Sequence, residues 1–233
     1  MSLEKERIRK MLAEHKISAE DYKILLAALN AKHSKFNAII SLLINPFKKL
    51  AGLKAFIIGL VIILGMSYLG VTAKLYYSAV LDITNAAEVI NPKVPLSFLV
   101  LLYQNLLAWI LVVIFYTIAA KILQPKPTRI IDFAGTVALA RFPYFLFTCL
   151  IWLVELIAPK VLAIDITKGY AHPSTLLIIL GLIFSVCSIW QLATYYFAFK
   201  ESSGLISKKL WIGFVGAMLI SEIISLKLAA IVM

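Results

Sequence analysis

The sequence predicts an all-α, polytopic membrane protein: five transmembrane helices preceded by a short helical hairpin and an interfacial amphipathic helix. Of its 233 residues, 62% are hydrophobic, and the mean hydropathy is +0.94. Soluble domains are only about 45–50% apolar. The excess is gathered into runs of roughly 20 residues or more, the length that crosses about 30 Å of hydrocarbon. The formal charge of +11 is concentrated at the N-terminus and in two loops. Membrane topology explains that pattern without a nucleic-acid partner.

Residues 1–33 are predicted to form a cytoplasmic helical hairpin. Ser18-Ala-Glu-Asp21 is typical of a helix start, with Ser18 as the N-cap and acids in the first turn. Apolar residues recur at helical spacing on both sides of it: Ile8, Met11, Leu12, Tyr22, Leu25, Leu26 and Leu29. So short a hairpin is not stable alone. We therefore expect residues 3–30 to pack on a second copy, on the membrane-facing segment or on a protein partner.

Residues 34–52 are predicted to form an amphipathic helix on the cytoplasmic leaflet. One side is apolar, from Phe36 to Phe47, and lysines stand at the ends. Lys35, Lys48 and Lys49 would contact anionic lipid headgroups. The alternative is a segment that simply leads into the first span.

Residues 53–233 are predicted to form the transmembrane domain. Proline and polar clusters delimit its apolar runs. The expected spans are 53–75, 96–123, 131–158, 174–199 and 210–232.

Lysines and arginines predict the orientation. Counted with the lysines at the adjoining span ends (Lys54, Lys74 and Lys121), the segments before span one, between spans two and three, and between spans four and five hold 17 of them, whereas the opposite loops hold 4. Positive charge accumulates on the cytoplasmic side. We therefore expect a cytoplasmic N-terminus, an outside C-terminus and a location in a cell membrane.

Arg141 and Glu222 are the charged residues placed deepest in predicted spans. Arg141 lies about 15 Å from the cytoplasmic end of span three, and Glu222 about 18 Å from that of span five, at about 1.5 Å per residue. An unpaired arginine at such a depth costs about 2.5 kcal/mol or more. The similar depths predict an Arg141–Glu222 ion pair. Pro143 should free a carbonyl near Leu139 and kink the helix.

These charges have two interpretations. In the functional one, Arg141 and Glu222 line a polar cavity for an anion, a lipid headgroup or a proton. In the structural one, they form a buried pair, or Arg141 extends toward the cytoplasmic surface. The residue pattern favours the structural interpretation.

Other polar positions are secondary candidates. Asp132 is placed at the start of span three, where the helix dipole favours an acid. Glu155 and Lys227 lie toward the outer ends of spans three and five, and either pair or reach the headgroups. The aromatic residues expected at the membrane interfaces are Tyr76, Tyr77, Trp152, Tyr170, Tyr195, Tyr196 and Trp211.

No catalytic residue, metal site or cofactor is predicted. His15, His33 and His172 lack the spacing of metal ligands. No phosphate-binding loop, Gly-x-Ser-x-Gly or His-Glu-x-x-His motif is present. Cys149 and Cys187 lie in apolar runs and are expected to be core residues. Glycines at 65, 70, 213 and 216 are expected to be packing points between spans.

Two segments resemble known families. Leu12-Ala-Glu-His-Lys-Ile-Ser-Ala-Glu-Asp-Tyr-Lys-Ile-Leu-Leu26 resembles the SHOCT-type bihelical module of bacterial proteins. Asp132-Phe-Ala-Gly-Thr-Val-Ala-Leu-Ala-Arg-Phe-Pro-Tyr144 resembles a stretch of bacterial YIP-domain proteins, relatives of the Ypt/Rab-interacting family. Ile189-Trp190 and the loop Phe199-Lys-Glu-Ser-Ser-Gly204 are similar to the same family.

The YIP resemblance covers roughly residues 36–230 and implies five spans with a cytoplasmic N-terminus. The Asp-Leu-x-Gly-Pro sequence of the eukaryotic members is absent here, so Rab binding is not carried over. The SHOCT resemblance implies oligomerisation or docking, and a bacterial inner membrane. The first hypothesis is therefore a non-enzymatic scaffold or adaptor. The alternative is a transporter or channel component with a cavity at Arg141 and Glu222.

Overall fold

The structure, a computed structural model, confirms the all-α polytopic class. It describes residues 3–14, 17–18, 20–25, 43, 45–86, 89, 92–124, 129–158 and 175–231. Five of its helical spans are long and apolar enough to cross a membrane, which makes the chain a multi-pass membrane protein. They are span one (helix α2, Gly52–Thr72), span two (helix α3, Phe98–Leu123), span three (Ile130–Ile157), span four (Thr175–Ser203) and span five (Ser207–Ala229).

The chain divides into two compact units, Met1–Pro46 and Phe47–Met233. In the first unit, helix α1 covers Leu3–Ala13, and residues 20–25 are helical. The predicted N-cap is present: the Ser18 hydroxyl accepts from the Asp21 backbone N–H at 3.0 Å and donates to the Asp21 carboxylate at 2.7 Å. The Asp21 carboxylate also accepts from the Ser18 backbone N–H at 3.3 Å, which is the reciprocal arrangement that stabilises a helix start.

Much of the predicted amphipathic helix, including Lys35, lies outside the described residues. A short 3-10 helix covers Pro46–Lys48, with Phe47 buried, while Lys48 and Lys49 are exposed. The predicted boundaries at residues 33 and 52 stay predictions.

In the second unit, span one is the central packing element. It packs along span three and against span two, while span four packs on span three and span five on span two. The approach to span three is close, because a Cβ on Gly59 would lie 2.7 Å from the Ala138 carbonyl carbon. Small residues permit such backbone approaches between membrane helices.

Span three is divided into two helices at the predicted kink. Helix α4 covers Ile130–Leu139 and α5 covers Phe142–Ile157, with Pro143 in the first turn of α5. Proline cannot donate a backbone hydrogen bond, which interrupts the ladder here. The carbonyl of the adjacent Ala140 accepts from the Thr194 hydroxyl of span four at 2.9 Å.

The connection between spans one and two is a buried loop, which the sequence interpretation missed. Strand β1 (Leu75–Tyr76) pairs antiparallel with β2 (Thr84–Asn85). The side chains of residues 75–80 are buried. Residues 75–86 are called the re-entrant loop below, because they pack between the spans.

The positions of the aromatic residues correct another expectation. Tyr76, Tyr77 and Tyr195, which were assigned to the membrane interface, are at most 1% exposed. They belong to the protein core, since the re-entrant loop and span four direct them inward.

Candidate functional site

Arg141 occupies the break in span three. It is the residue before α5, and its side chain is completely buried. The non-helical residues Ala140 and Arg141 separate the two helices of this span. The break places the guanidinium beside spans two and four.

Two neutral side chains hold the Arg141 guanidinium. Nη2 donates to Asn105 Oδ1 at 2.7 Å, and Nη1 lies 3.5 Å from the Tyr195 hydroxyl. The Asn105 amide donates in turn to Ser67 Oγ at 3.1 Å and to the Leu101 carbonyl at 3.0 Å. The cluster of Arg141, Asn105, Ser67 and Tyr195, which we call the arginine cluster, therefore links spans one, two, three and four.

The predicted Arg141–Glu222 ion pair is not formed. Glu222 accepts from the Leu81 backbone N–H at 3.1 Å, and the Leu81 carbonyl accepts from the Tyr144 hydroxyl at 2.6 Å. The backbone of Leu81, in the re-entrant loop, thus connects α5 to span five. The Glu222 carboxylate serves as the acceptor for its N–H. Within the described ranges, no ion pair reaches Arg141.

Tyr77 anchors the re-entrant loop to three spans. Its hydroxyl lies 3.1 Å from the Met66 carbonyl and 2.9 Å from Thr148 Oγ1, and its backbone N–H donates to Gln104 Oε1 at 2.9 Å. Burial raises the pKa of the Tyr77 hydroxyl. The hydroxyl therefore stays protonated and remains a hydrogen-bond donor.

Several buried polar atoms near these contacts have no hydrogen-bond partner in the described part of the chain. They are Arg141 Nε, Gln104 Nε2, and both Nε2 and Oε1 of Gln191, whose carboxamide faces the Tyr195 hydroxyl without meeting hydrogen-bond geometry. Gln191 precedes Tyr195 by one helical turn, so both side chains lie on the same face of span four. A buried polar atom without a partner costs about 1–3 kcal/mol.

The secondary candidates are dispersed. Glu155 pairs with Lys74 at 3.1 Å, so the suggested Glu155–Lys227 pair is wrong; Lys227 is exposed. Span one packs along α5, so Lys74, two residues beyond the end of span one, lies beside Glu155. Asp132 is half-buried in the first turn of α4, as predicted.

The residues that sequence reasoning missed are uncharged. Asn105, Gln104, Gln191 and Tyr195 are buried side chains inside apolar helices. The two consecutive carboxamides, Gln104 and Asn105, could have indicated a buried polar contact, because a side-chain amide in hydrocarbon needs a hydrogen-bond partner.

No group of three or more histidine, cysteine or acidic side chains in the described residues could hold a metal ion. His15, His33 and His172 lie outside those residues. The arginine cluster therefore offers hydrogen-bond donors and one positive charge.

Comparison with known proteins gives no relative: neither a protein-family model, nor a curated protein, nor a solved structure matches this chain.

Proposed function

We propose that this protein is a non-catalytic scaffold or adaptor of a bacterial inner membrane, related to the YIP family. Its N-terminus would be cytoplasmic and its C-terminus outside. The observation that carries the proposal is the enclosure of Arg141 and Glu155. Arg141 is completely buried on Asn105 and Tyr195, and Glu155 is paired with Lys74.

Enclosure favours a scaffold over a transporter. A transport site must open to water on at least one side, and intramembrane charges on ion pathways face such a cavity. Here the re-entrant loop occupies the space between α5 and span five, at Tyr144 and Glu222. The charges then serve to hold the bundle together.

We assign the recruitment of a partner or a second copy to the N-terminal unit, Met1–Pro46. Met11, Ile24 and Leu25 are exposed apolar side chains on its helical segments. Helices this short need tertiary contacts to be stable. A second copy of the chain or a protein partner would supply those contacts.

The test uses the full chain with serine replacing two exposed apolar residues, Ile24→Ser and Leu25→Ser. We expect a lower oligomeric mass in mild detergent, or loss of partner capture in crosslinked membranes. Lys23→Ser, also exposed on this segment, is the matched control and should leave both unchanged. Unaltered association in the double variant would refute recruitment through this unit.

A transporter or channel component, as the second candidate, is favoured by one observation. Arg141 Nε and the Gln191 carboxamide are buried without partners in the described part of the chain, as they would be in a site for an anion, a lipid headgroup or a proton. Arg141→Lys keeps the charge but removes the planar donor fork. If chloride efflux from reconstituted vesicles occurs and this variant abolishes it, the transporter is correct. If no flux occurs and the variant only lowers thermal stability, the scaffold is favoured.

A further inference from the structure

Two adjoining cavities lie where span two ends and span five begins. The first, of about 720 Å³, is bordered by Leu123, Gln124 and the segment 204–209, which includes Lys208 and Lys209. The second, of about 230 Å³, is apolar and runs along the helices from Leu123 past Gly213 and Gly216 to Ile220. Leu123 borders both, so the basic cavity and the apolar cavity are adjacent; together they are called the groove below.

Gly216 leaves open space in the apolar part. A Cβ on Gly213 would lie 2.7 Å from Leu123 Cδ1, so this glycine is required for packing between spans two and five. A Cβ on Gly216 would have no atom within 4 Å. The expectation that both glycines pack between spans is therefore wrong for Gly216, which borders an unfilled groove.

The dimensions of the groove match one leaflet. From Ile212 to Ile220 the helix rises about 12 Å, at about 1.5 Å per residue. Half of a hydrocarbon core of about 30 Å is about 15 Å. The apolar part thus lies at acyl-chain depth when the helix start lies at the headgroups.

The basic end lies where a headgroup would be. Lys208 and Lys209 are exposed, and Lys209 Nζ lies 3.5 Å from the Leu123 carbonyl at the end of span two. Lys121, in the last turn of span two, is exposed at the same end. Within this groove and the last turn of span two, the described residues include no acid to neutralise these lysines.

We propose that this groove binds an anionic glycerophospholipid. Lys208 and Lys209 contact the phosphate, and an acyl chain lies along the apolar part, over Gly216. Lysine is a suitable ligand for a phosphate in membrane-surface sites. The site is independent of the scaffold proposal, because it needs neither the N-terminal unit nor the arginine cluster.

The experiment is native mass spectrometry of the full chain in mild detergent, titrated with phosphatidylglycerol or phosphatidylcholine. The wild type should retain phosphatidylglycerol at least tenfold better. Gly216→Leu should reduce retention of phosphatidylglycerol at least tenfold by filling the groove. Gly181→Leu is the matched control, since a Cβ at this exposed glycine of span four also meets no atom within 4 Å.

A second variant tests the basic end. Lys208→Gln with Lys209→Gln should remove the preference for phosphatidylglycerol, while Lys93→Gln, an exposed lysine outside the groove, should not. Equal retention of the two lipids by the wild type would overturn the proposal. So would wild-type lipid retention by Gly216→Leu, or conversion of a wild-type dimer to a monomer by that variant, which would assign the groove to a second copy.

Discussion

Arg141 is solvated by neutral oxygen atoms rather than by a carboxylate. Its 2.7 Å contact with Asn105 has the length of a charge-assisted hydrogen bond. The guanidinium cannot lose its proton in a protein. Its stability in the bundle therefore depends on Asn105 being held in place, which Ser67 and the Leu101 carbonyl do.

We expect Asn105→Leu to destabilise the protein by about 1.5–3 kcal/mol, the usual value of a hydrogen bond to a charged group. Asn105→Asp should be tolerated better than the leucine variant, because the counter-charge that it supplies to Arg141 outweighs the lost donation to the Leu101 carbonyl. Thermal unfolding in detergent can be followed with a thiol-reactive dye at the buried Cys187, in a Cys149→Ala background. An aspartate variant no more stable than the leucine variant would contradict this account of Arg141.

The separation of Arg141 from Glu222 gives a second prediction. Because the two residues use different partners, the effects of Arg141→Gln and Glu222→Gln should add to within about 0.5 kcal/mol. If the two residues formed the ion pair that the sequence predicted, the double variant would lose less free energy of unfolding than the two single variants lose together. The same unfolding assay measures all the variants. Recovery by the second substitution would restore the ion-pair model.

At the scale of elements, the closest approach is that of span one to α4. Gly59→Ala would place a methyl group against the Ala138 backbone, and overpacking of this kind costs about 1–3 kcal/mol. We expect a lower midpoint of thermal unfolding. Gly216→Ala is the control: it introduces the same methyl group into open space and should leave the midpoint unchanged or slightly raised. Equal effects of the two substitutions would argue against close packing at Gly59.

The helices were predictable from the sequence, whereas the re-entrant loop was not. Apolar run length alone locates the spans, and Pro143 locates the break in span three. Tyr77 was misassigned because aromatic residues near a helix end fit a membrane interface as well as a buried loop. Its actual partners, at Met66, Gln104 and Thr148, belong to three separate spans, and no local pattern encodes their proximity.

The difference between local features and contacts across spans also explains why the position of Arg141 was predicted correctly and its partner was not. Its depth in span three could be read from the sequence, because depth follows from position in the helix. Its partner could not, because equal depth on two spans does not make them neighbours. Span five packs on span two, and the connection from Glu222 to α5 passes through Leu81.

For the whole molecule, the charge distribution predicts a cytoplasmic basic end. Single cysteines introduced by Lys208→Cys and Lys93→Cys, in a Cys149→Ala, Cys187→Ala background, test it. A membrane-impermeant maleimide should label Lys93→Cys in intact cells and Lys208→Cys only after permeabilisation. Each variant serves as the control for the other. The reverse labelling pattern would invert the topology.

The contact between Glu222 and Leu81 also constrains the order of assembly. The Leu81 N–H lies 141 residues before the carboxylate that accepts from it. During synthesis the first four spans are made before their partner in the fifth. Until then, a loop that belongs inside the protein lacks an acceptor, and a backbone amide in hydrocarbon costs several kcal/mol. The Leu81 part of the loop can therefore complete its contacts only after span five has been made, and we expect a chain truncated before span five to be more sensitive to proteolysis than the full chain.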